Sequence, residues 1–165
     1  MAKNQSELTP QLASKFSDLE SQYNLPTGLL KSVAKTESNF NSNAESPVGA
    51  KGMFQFMPGT ARRFGVNTSD PVSSAEGAAK YFNHLLGMFD GDVSKAIASY
   101  NWGEGNVKKK GLSNLPTETK NYLSRVGAGL ADPSSITVSQ QVSNGDNTRT
   151  AGMSQDYVKN SNSDS

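Results

Sequence analysis

Cysteine is absent from the chain, so disulfide stapling and thiol chemistry are excluded, and redox usage says nothing about compartment. Histidine occurs once, at His84, inside the helical pattern KYFNHLLGMF. It reads as structural, and with no second histidine a common zinc site is not expected. An excess of charge is lacking too. Sixteen Lys and Arg against fifteen Asp and Glu leave a formal net charge of +1. That balance gives no electrostatic footprint for nucleic acid or a polyanionic surface. Neither a GxxxxGKS/T nor a GxGxxG stretch occurs, so nucleotide binding has no support. No apolar run approaches the roughly 20 residues that span a bilayer, and MAKNQSELTPQLASKF lacks the apolar core of a signal peptide. Membrane insertion is not expected. A substrate outside the cytoplasm would have to be reached by a route other than a cleaved signal.

What the chain does have is helical periodicity. Thr9-Pro10 reads as an N-cap with proline at the first helical position, and Leu12, Phe16, Leu19 and Tyr23 continue as one apolar stripe. Pro26 is expected to open a second helix carrying Leu29, Leu30, Val33 and Ala34. Residues 41–59, NSNAESPVGAKGMFQFMPG, read as a long ordered loop of the kind that tends to be functional in a compact domain. Pro58 starts a short helix through Arg63. Ser73 and Glu76 form a capping-box pattern before AEGAAKYFNHLLGMF. Asp92 caps a helix ending near IASYN, Gly103 and Gly105 turn the chain, and Thr117 caps a last helix that buries Tyr122, Leu123, Val126 and Leu130. The run Lys108-Lys109-Lys110 reads as a solvated surface turn. The pattern predicts a mainly α fold, with a single domain over residues 1–132. Residues 133–165 are polar and rich in Ser and Asn, too poor in apolar side chains to offset their ordering entropy, and are expected to be a flexible tail or linker. The alternative there is that Ile136-Thr137-Val138-Ser139 pairs with an edge strand or with a partner.

One acid stands apart. Leu30, Val33, Ala34 and Glu37 fall at i, i+3, i+4 and i+7, which places the carboxyl on the inward stripe of its helix. A carboxyl group near apolar surface prefers its neutral form and suits proton donation. A helix-terminal glutamate facing water is the competing reading, and spacing does not decide between them. In the following GAKGMFQFMPGTA, small residues beside Met53, Gln55 and Met57 permit close approach to a ligand. Gln55 offers a donor and an acceptor for sugar acetamido and hydroxyl groups, unless the stretch is a core turn in which Met53, Phe54 and Phe56 simply pack. AIASYNWGEGNV then brings Tyr100 and Asn101, a tyrosine hydroxyl there being suited to orient the carboxyl. The other acids near these stretches are Glu45, Asp70, Asp92, Glu104 and Glu118, and none repeats the inward-stripe pattern. Glu104, between two glycines, reads as exposed, and Glu118 as a first-turn acid favoured by the helix dipole.

Taken in order, Glu37-Ser38, GAKGMFQFMPGTA, SYNWGEGNV and TETKNYL resemble the four successive motifs of soluble-lytic-transglycosylase-type (family-23-like) peptidoglycan enzymes. The resemblance covers residues from about 20 to 130. It implies a lysozyme-like fold with a cleft for alternating N-acetylglucosamine and N-acetylmuramic acid. It matches Glu37 to the family's single catalytic acid/base and Ser38 to its usual partner. Met53 and Gln55 correspond to the glycan-contacting loop, Tyr100 and Asn101 to the pair lining the cleft, and Tyr122 to a tyrosine close to the glutamate. Two departures are Ser99, where alanine is usual, and Phe54, inserted between the methionine and the glutamine. The implied reaction cleaves the β-1,4 bond between N-acetylmuramic acid and N-acetylglucosamine with formation of a 1,6-anhydro ring, and needs no metal or cofactor. A lysozyme-type hydrolase and a non-catalytic glycan-binding virion module are the alternatives. The implied partners are peptidoglycan glycan strands and, through the tail, proteins of a phage particle or secretion machine. Action in the host periplasm or cell wall follows.

Overall fold

Thr9 opens the first helix. Its Oγ1 accepts the Leu12 amide at 3.1 Å and Pro10 occupies the first helical position, so α1 runs Pro10–Tyr23. A computed structural model describes residues 7–136. Six further helices follow among them: α2 (Leu29–Ser38), α3 (Pro58–Phe64), α4 (Pro71–Met88), α5 (Val93–Trp102), α6 (Glu104–Lys110) and α7 (Thr117–Ala128). The fold is mainly α. No named strand occurs among the described residues, only isolated bridges pairing Lys51 with Glu45 and Phe56. No helix among them is long and apolar enough to cross a membrane.

Several helix starts differ from the sequence reading, each for a local reason. Helix α2 begins at Leu29 rather than at Pro26, because Gly28 forms its N-cap at φ 91°. Its orphan amides are taken by a side chain of α1: Glu20 Oε1 accepts Gly28 N–H at 3.0 Å and Oε2 accepts Leu30 N–H at 2.8 Å. Helix α4 begins at Pro71 with Asp70 as cap, Oδ1 accepting Val72 N–H at 3.0 Å. Ser73, expected to cap it, instead accepts the Asn67 amide at 2.8 Å and closes the preceding turn. Gly105 lies inside α6, and Lys108 to Lys110 form the last turn of that helix, where cations suit the carbonyl end. In α7 the N-cap is Pro116, and Thr117 is the first helical residue.

Helix α1 packs on α4 and α2, α2 on α7, and α5 on α4, α6 and α7. The core so enclosed includes Leu30, Val33, Phe54, Phe82, Leu85, Ile97, Tyr100 and Val126. The α2–α7 contact is close: Ser32 Oγ donates to Val126 O at 2.7 Å, and a Cβ at Gly129 would overlap Ser32. Beyond α7, Pro133–Ser135 make one 3₁₀ turn, and Ile136 lies where a Cβ on Gly127 would reach. The remainder of the expected tail, with the edge-strand alternative at Thr137 to Ser139, lies outside the described residues.

Because a buried carboxylate holds both amides at the start of α2, Glu20→Ala is expected to lower folding stability by about 2 kcal/mol, with Glu20→Gln intermediate. Chemical denaturation of the two variants checks this; equal stability of Glu20→Ala and wild type would contradict the capping role.

Candidate active site

Glu37 sits in the last turn of α2 and is 6% exposed, on the buried side with Leu30, Val33 and Ala34. Its carboxyl is thus set among apolar side chains at the carbonyl end of the helix. The next residue fastens the helix end. Ser38 Oγ donates to Met53 O at 2.8 Å, lies 3.2 Å from Ala34 O, and accepts Asn41 N–H at 3.1 Å. Asn39 and Phe40 both adopt the left-handed region, φ 55° and 65°, which reverses the chain immediately after the acid.

The loop that follows is held by its own backbone. Lys51 and Phe56 exchange hydrogen bonds at 3.0 Å in each direction, and Gly52 N–H reaches Ala44 O at 2.8 Å. Gly52 is required twice over, by its φ of 86° and because a Cβ there would overlap Thr68 O. Gln55 takes φ 52° and is 2% exposed, with Nε2 donating to Gly52 O at 2.9 Å and to Ala44 O at 3.2 Å. Its donor side is therefore engaged with the loop. The Met53 and Phe54 side chains are buried in the core, Phe54 edge-on to Phe16 at 5.6 Å, so both residues meet the site through their carbonyls.

Tyr100, fully buried on α5, donates to Phe54 O at 2.8 Å and stacks on Phe82 with ring centres 4.7 Å apart. Burial holds its hydroxyl well above the ordinary tyrosine pKa, with the neighbouring Glu37 and Tyr81 adding to the shift. Tyr122, on α7, is raised in the same way, by burial first and then by the Glu37 charge. A hydrogen bond to the Glu37 carboxyl adds to that shift. The fold thus gathers Glu37, Tyr100 and Tyr122 from three helices. Asn101 is buried beside this group and joins α5 to α7, its Oδ1 accepting Thr119 Oγ1 at 2.8 Å.

Two contributors were not singled out in the sequence. Thr119 lies one turn before Tyr122 in TETKNYL, and a hydroxyl at that spacing on an apolar stripe was the available signal. Glu20 continues the Leu12, Phe16 row at i+8, the same logic that isolates Glu37. One reading is corrected. Glu104 is not exposed: its side chain is 14% accessible, accepts Tyr81 Oη at 2.8 Å, and pairs with Arg63 Nη2 at 3.4 Å beside His84 Nε2 at 3.7 Å. As the first residue of α6 it turns back over α4, between a buried Gly103 and a half-buried Gly105. Among the described residues no cluster of three or more potential ligands for a metal ion occurs.

A family model described as the Transglycosylase SLT domain matches residues 14–123, more than half of the chain. The chain belongs to the transglycosylase SLT domain family. A peptidoglycan transglycosylase, gp16 of Escherichia phage T7, is 36% identical over 58% of the chain and 8% of its own length. A transglycosylase of Enterobacteria phage PRD1 is 37% identical over 64% of the chain and 37% of its own length. The SLT chain therefore spans well under half of these relatives. Among solved structures, an inactive glutamate-to-glutamine mutant of the lytic transglycosylase Slt from Pseudomonas aeruginosa superposes with a TM-score of 0.62 at 25% identity. It covers 73% of the chain and 23% of that protein. The mainly helical architecture is thus that of the lysozyme-like SLT enzymes.

For the SLT site, the raised tyrosines have a direct consequence. Folded Tyr100 and Tyr122 keep protons that the unfolded chain loses above pH 10, so their contribution to stability is complete below that pH and declines as pH rises. In an ultraviolet titration, Tyr100→Phe and Tyr122→Phe are expected to show the same tyrosinate signal as wild type until alkaline unfolding. A smaller folded-state signal in either variant would contradict the assignment.

Proposed function

We propose that the chain is a peptidoglycan lytic transglycosylase in which Glu37 alone acts as acid and then as base. The observation that carries this reading is the distribution of carboxylates. Glu37 is the buried acid of the tyrosine cluster, while the others near it are committed or exposed. Asp70 and Asp92 cap helices, Glu104 is held by Tyr81 and Arg63, and Glu45 and Glu118 face solvent. Glycosidases of the common retaining and inverting types need a second carboxyl group across the scissile bond. A lyase needs one.

In the proposed reaction, neutral Glu37 gives its proton to the glycosidic oxygen as the bond from muramic C1 breaks, releasing the N-acetylglucosamine hydroxyl. The substrate's own 2-acetamido group stabilises the oxocarbenium-like centre. Ionised Glu37 then accepts the proton of the muramic 6-hydroxyl while O6 bonds to C1, closing the 1,6-anhydro ring. Protons balance and water is not consumed. Tyr122, protonated throughout the working range, faces the carboxylate during the interval when it is charged. Ser38 and Tyr100 act less directly, holding the Met53-Phe54 carbonyls and hence the loop against the acid. Buried Gln55 and Asn101 support the site from behind, Gln55 closing the loop and Asn101 tying α5 to α7.

The name of the phage T7 relative supports peptidoglycan as substrate, and an Slt relative that is inactive as a glutamate-to-glutamine mutant supports dependence on one acid. Two relatives are phage proteins, which favours a virion-carried enzyme opening the host wall locally, with residues after 132 as the segment facing other particle proteins. Mass spectrometry of purified particles is expected to detect the chain; particles lacking it would contradict that assignment.

Zymography of wild type and Glu37→Gln, with mass spectrometry of the products, tests the reaction. Wild type is expected to release anhydromuramic products, and the variant to lose activity by about 10²–10⁴-fold. Reducing-end muramic products would show a hydrolase, and full activity of Glu37→Gln would remove the acid assignment. An inactive wild type would leave a glycan-binding module.

A further inference from the structure

One constellation of charged and aromatic side chains takes no direct part in the proposed reaction. It comprises Glu104 at the start of α6, Arg63 of α3, and Tyr81 and His84 of α4. Glu104 is its centre. The Glu104 Oε1 atom accepts the Tyr81 hydroxyl at 2.8 Å, and Oε2 lies 3.4 Å from Arg63 Nη2 and 3.7 Å from His84 Nε2. Arg63 Nη2, which can only donate, also stands 3.2 Å from His84 Nε2. The guanidinium carbon lies 4.9 Å from the Phe64 ring centre and 5.7 Å from that of Tyr81. The carboxylate thus holds the Tyr81 hydroxyl while the cation covers its ring. Ion pairs of this kind add little net stability. What several partners on one carboxylate do supply is a fixed orientation.

We propose that Glu104 is a positioning residue for glycan cleavage, setting Tyr81 and, through it, the Tyr100 hydroxyl that holds the loop against Glu37. The inference rests on the lytic reading of that site. The contacts form one row. Tyr81 is 1% exposed, and its ring centre lies 5.4 Å from that of Tyr100, with the planes 42° apart. Phe64 lies 5.1 Å from Tyr81, and Phe82 stacks on Tyr100, so neither phenol can swing without displacing a neighbour. Tyr100 in turn donates to Phe54 O. Tyr81 is also near enough to Tyr100 and Tyr122 to add to the rise in both their pKa values. A phenol has one proton to give, and Tyr81 gives its own to a carboxylate, a bond stronger than one to a neutral oxygen. Sequence position adds a second link. Arg63 belongs to the helix that continues directly from Met53–Met57, and Glu104 stands three residues after Asn101. Their pairing fastens the segment after the loop to the segment after Tyr100.

The test uses the full chain, isotope-labelled at the tyrosine Cζ atoms and read by NMR without substrate, together with steady-state kinetics on soluble uncrosslinked glycan strands. Glu104→Gln is expected to move the Tyr81 and Tyr100 signals while that of Tyr23, on α1, stays in place. Tyr81→Phe is expected to move Tyr100 likewise, and adding Glu104→Gln to it to move Tyr100 no further. In turnover, each single variant is expected to lose about tenfold in kcat with KM within about twofold, and the double variant no more than either. A stationary Tyr100 signal in Glu104→Gln, an unchanged kcat, or kcat losses that multiply would overturn the proposal. So would a shift of Tyr23 as large as that of Tyr100, which marks general loosening. Because Tyr81→Phe breaks the same bond from its other end, the test stands even if Glu104→Gln folds poorly. An inactive wild type would instead fail the lytic reading, and the tyrosine signals would still decide whether Glu104 sets Tyr100.

Discussion

Everything in the candidate site depends on a ten-residue helix pinned at both ends. At the start of α2 a buried carboxylate, Glu20, takes two amides that would otherwise be orphaned. At its end Ser38 fastens the last turn to the Met53 carbonyl. A helix this short has little intrinsic stability, so these tethers and its packing against α1 and α7 supply what propensity does not. Glu37 lies between the tethers, in the final turn. Loosening either end would let that turn fray and carry the carboxyl away from the tyrosines.

The same economy governs the wall facing the acid. The Met53-Phe54 pair presents carbonyls rather than side chains, and each carbonyl is held by a hydroxyl from a different element, Ser38 of α2 and Tyr100 of α5. Gln55 closes the loop from within, at the cost of a left-handed backbone that non-glycine residues seldom adopt. Tyr122 arrives from α7, which Ser32 and Asn101 tie to α2 and α5. Burying a carboxyl group is expensive unless polar atoms face it. Here the facing groups are phenols that stay protonated, which can accommodate both charge states of the acid without adding charge of their own.

How much of this was legible in the sequence divides by range. The α1 cap was readable because Thr9, Pro10 and Leu12 are neighbours, and the stripe on which Glu37 falls because a 3.6-residue period needs only the helix itself, while spacing left open whether its carboxyl faced the core or water. The start of α4 was misread because two capping patterns overlap. Asp70-Pro71 prevails, since Ser73 is occupied by the Asn67 amide. Glu104 was misread because glycine neighbours suggest exposure, whereas its partners Arg63, Tyr81 and His84 lie some 20 to 40 residues earlier. Which tyrosine faces the acid depends on how α5 and α7 pack on α2, and no local pattern encodes that. The order of four motifs carried the family where single residues did not, and the family model over residues 14–123 agrees with it.

The proposed reaction requires Glu37 to be a neutral carboxylic acid before it donates. Infrared difference spectroscopy of wild type against Glu37→Gln, at neutral pH and in the absence of substrate, reads this directly. The account predicts a protonated-carboxyl carbonyl band in wild type that the variant lacks. A difference spectrum containing only carboxylate bands would contradict it.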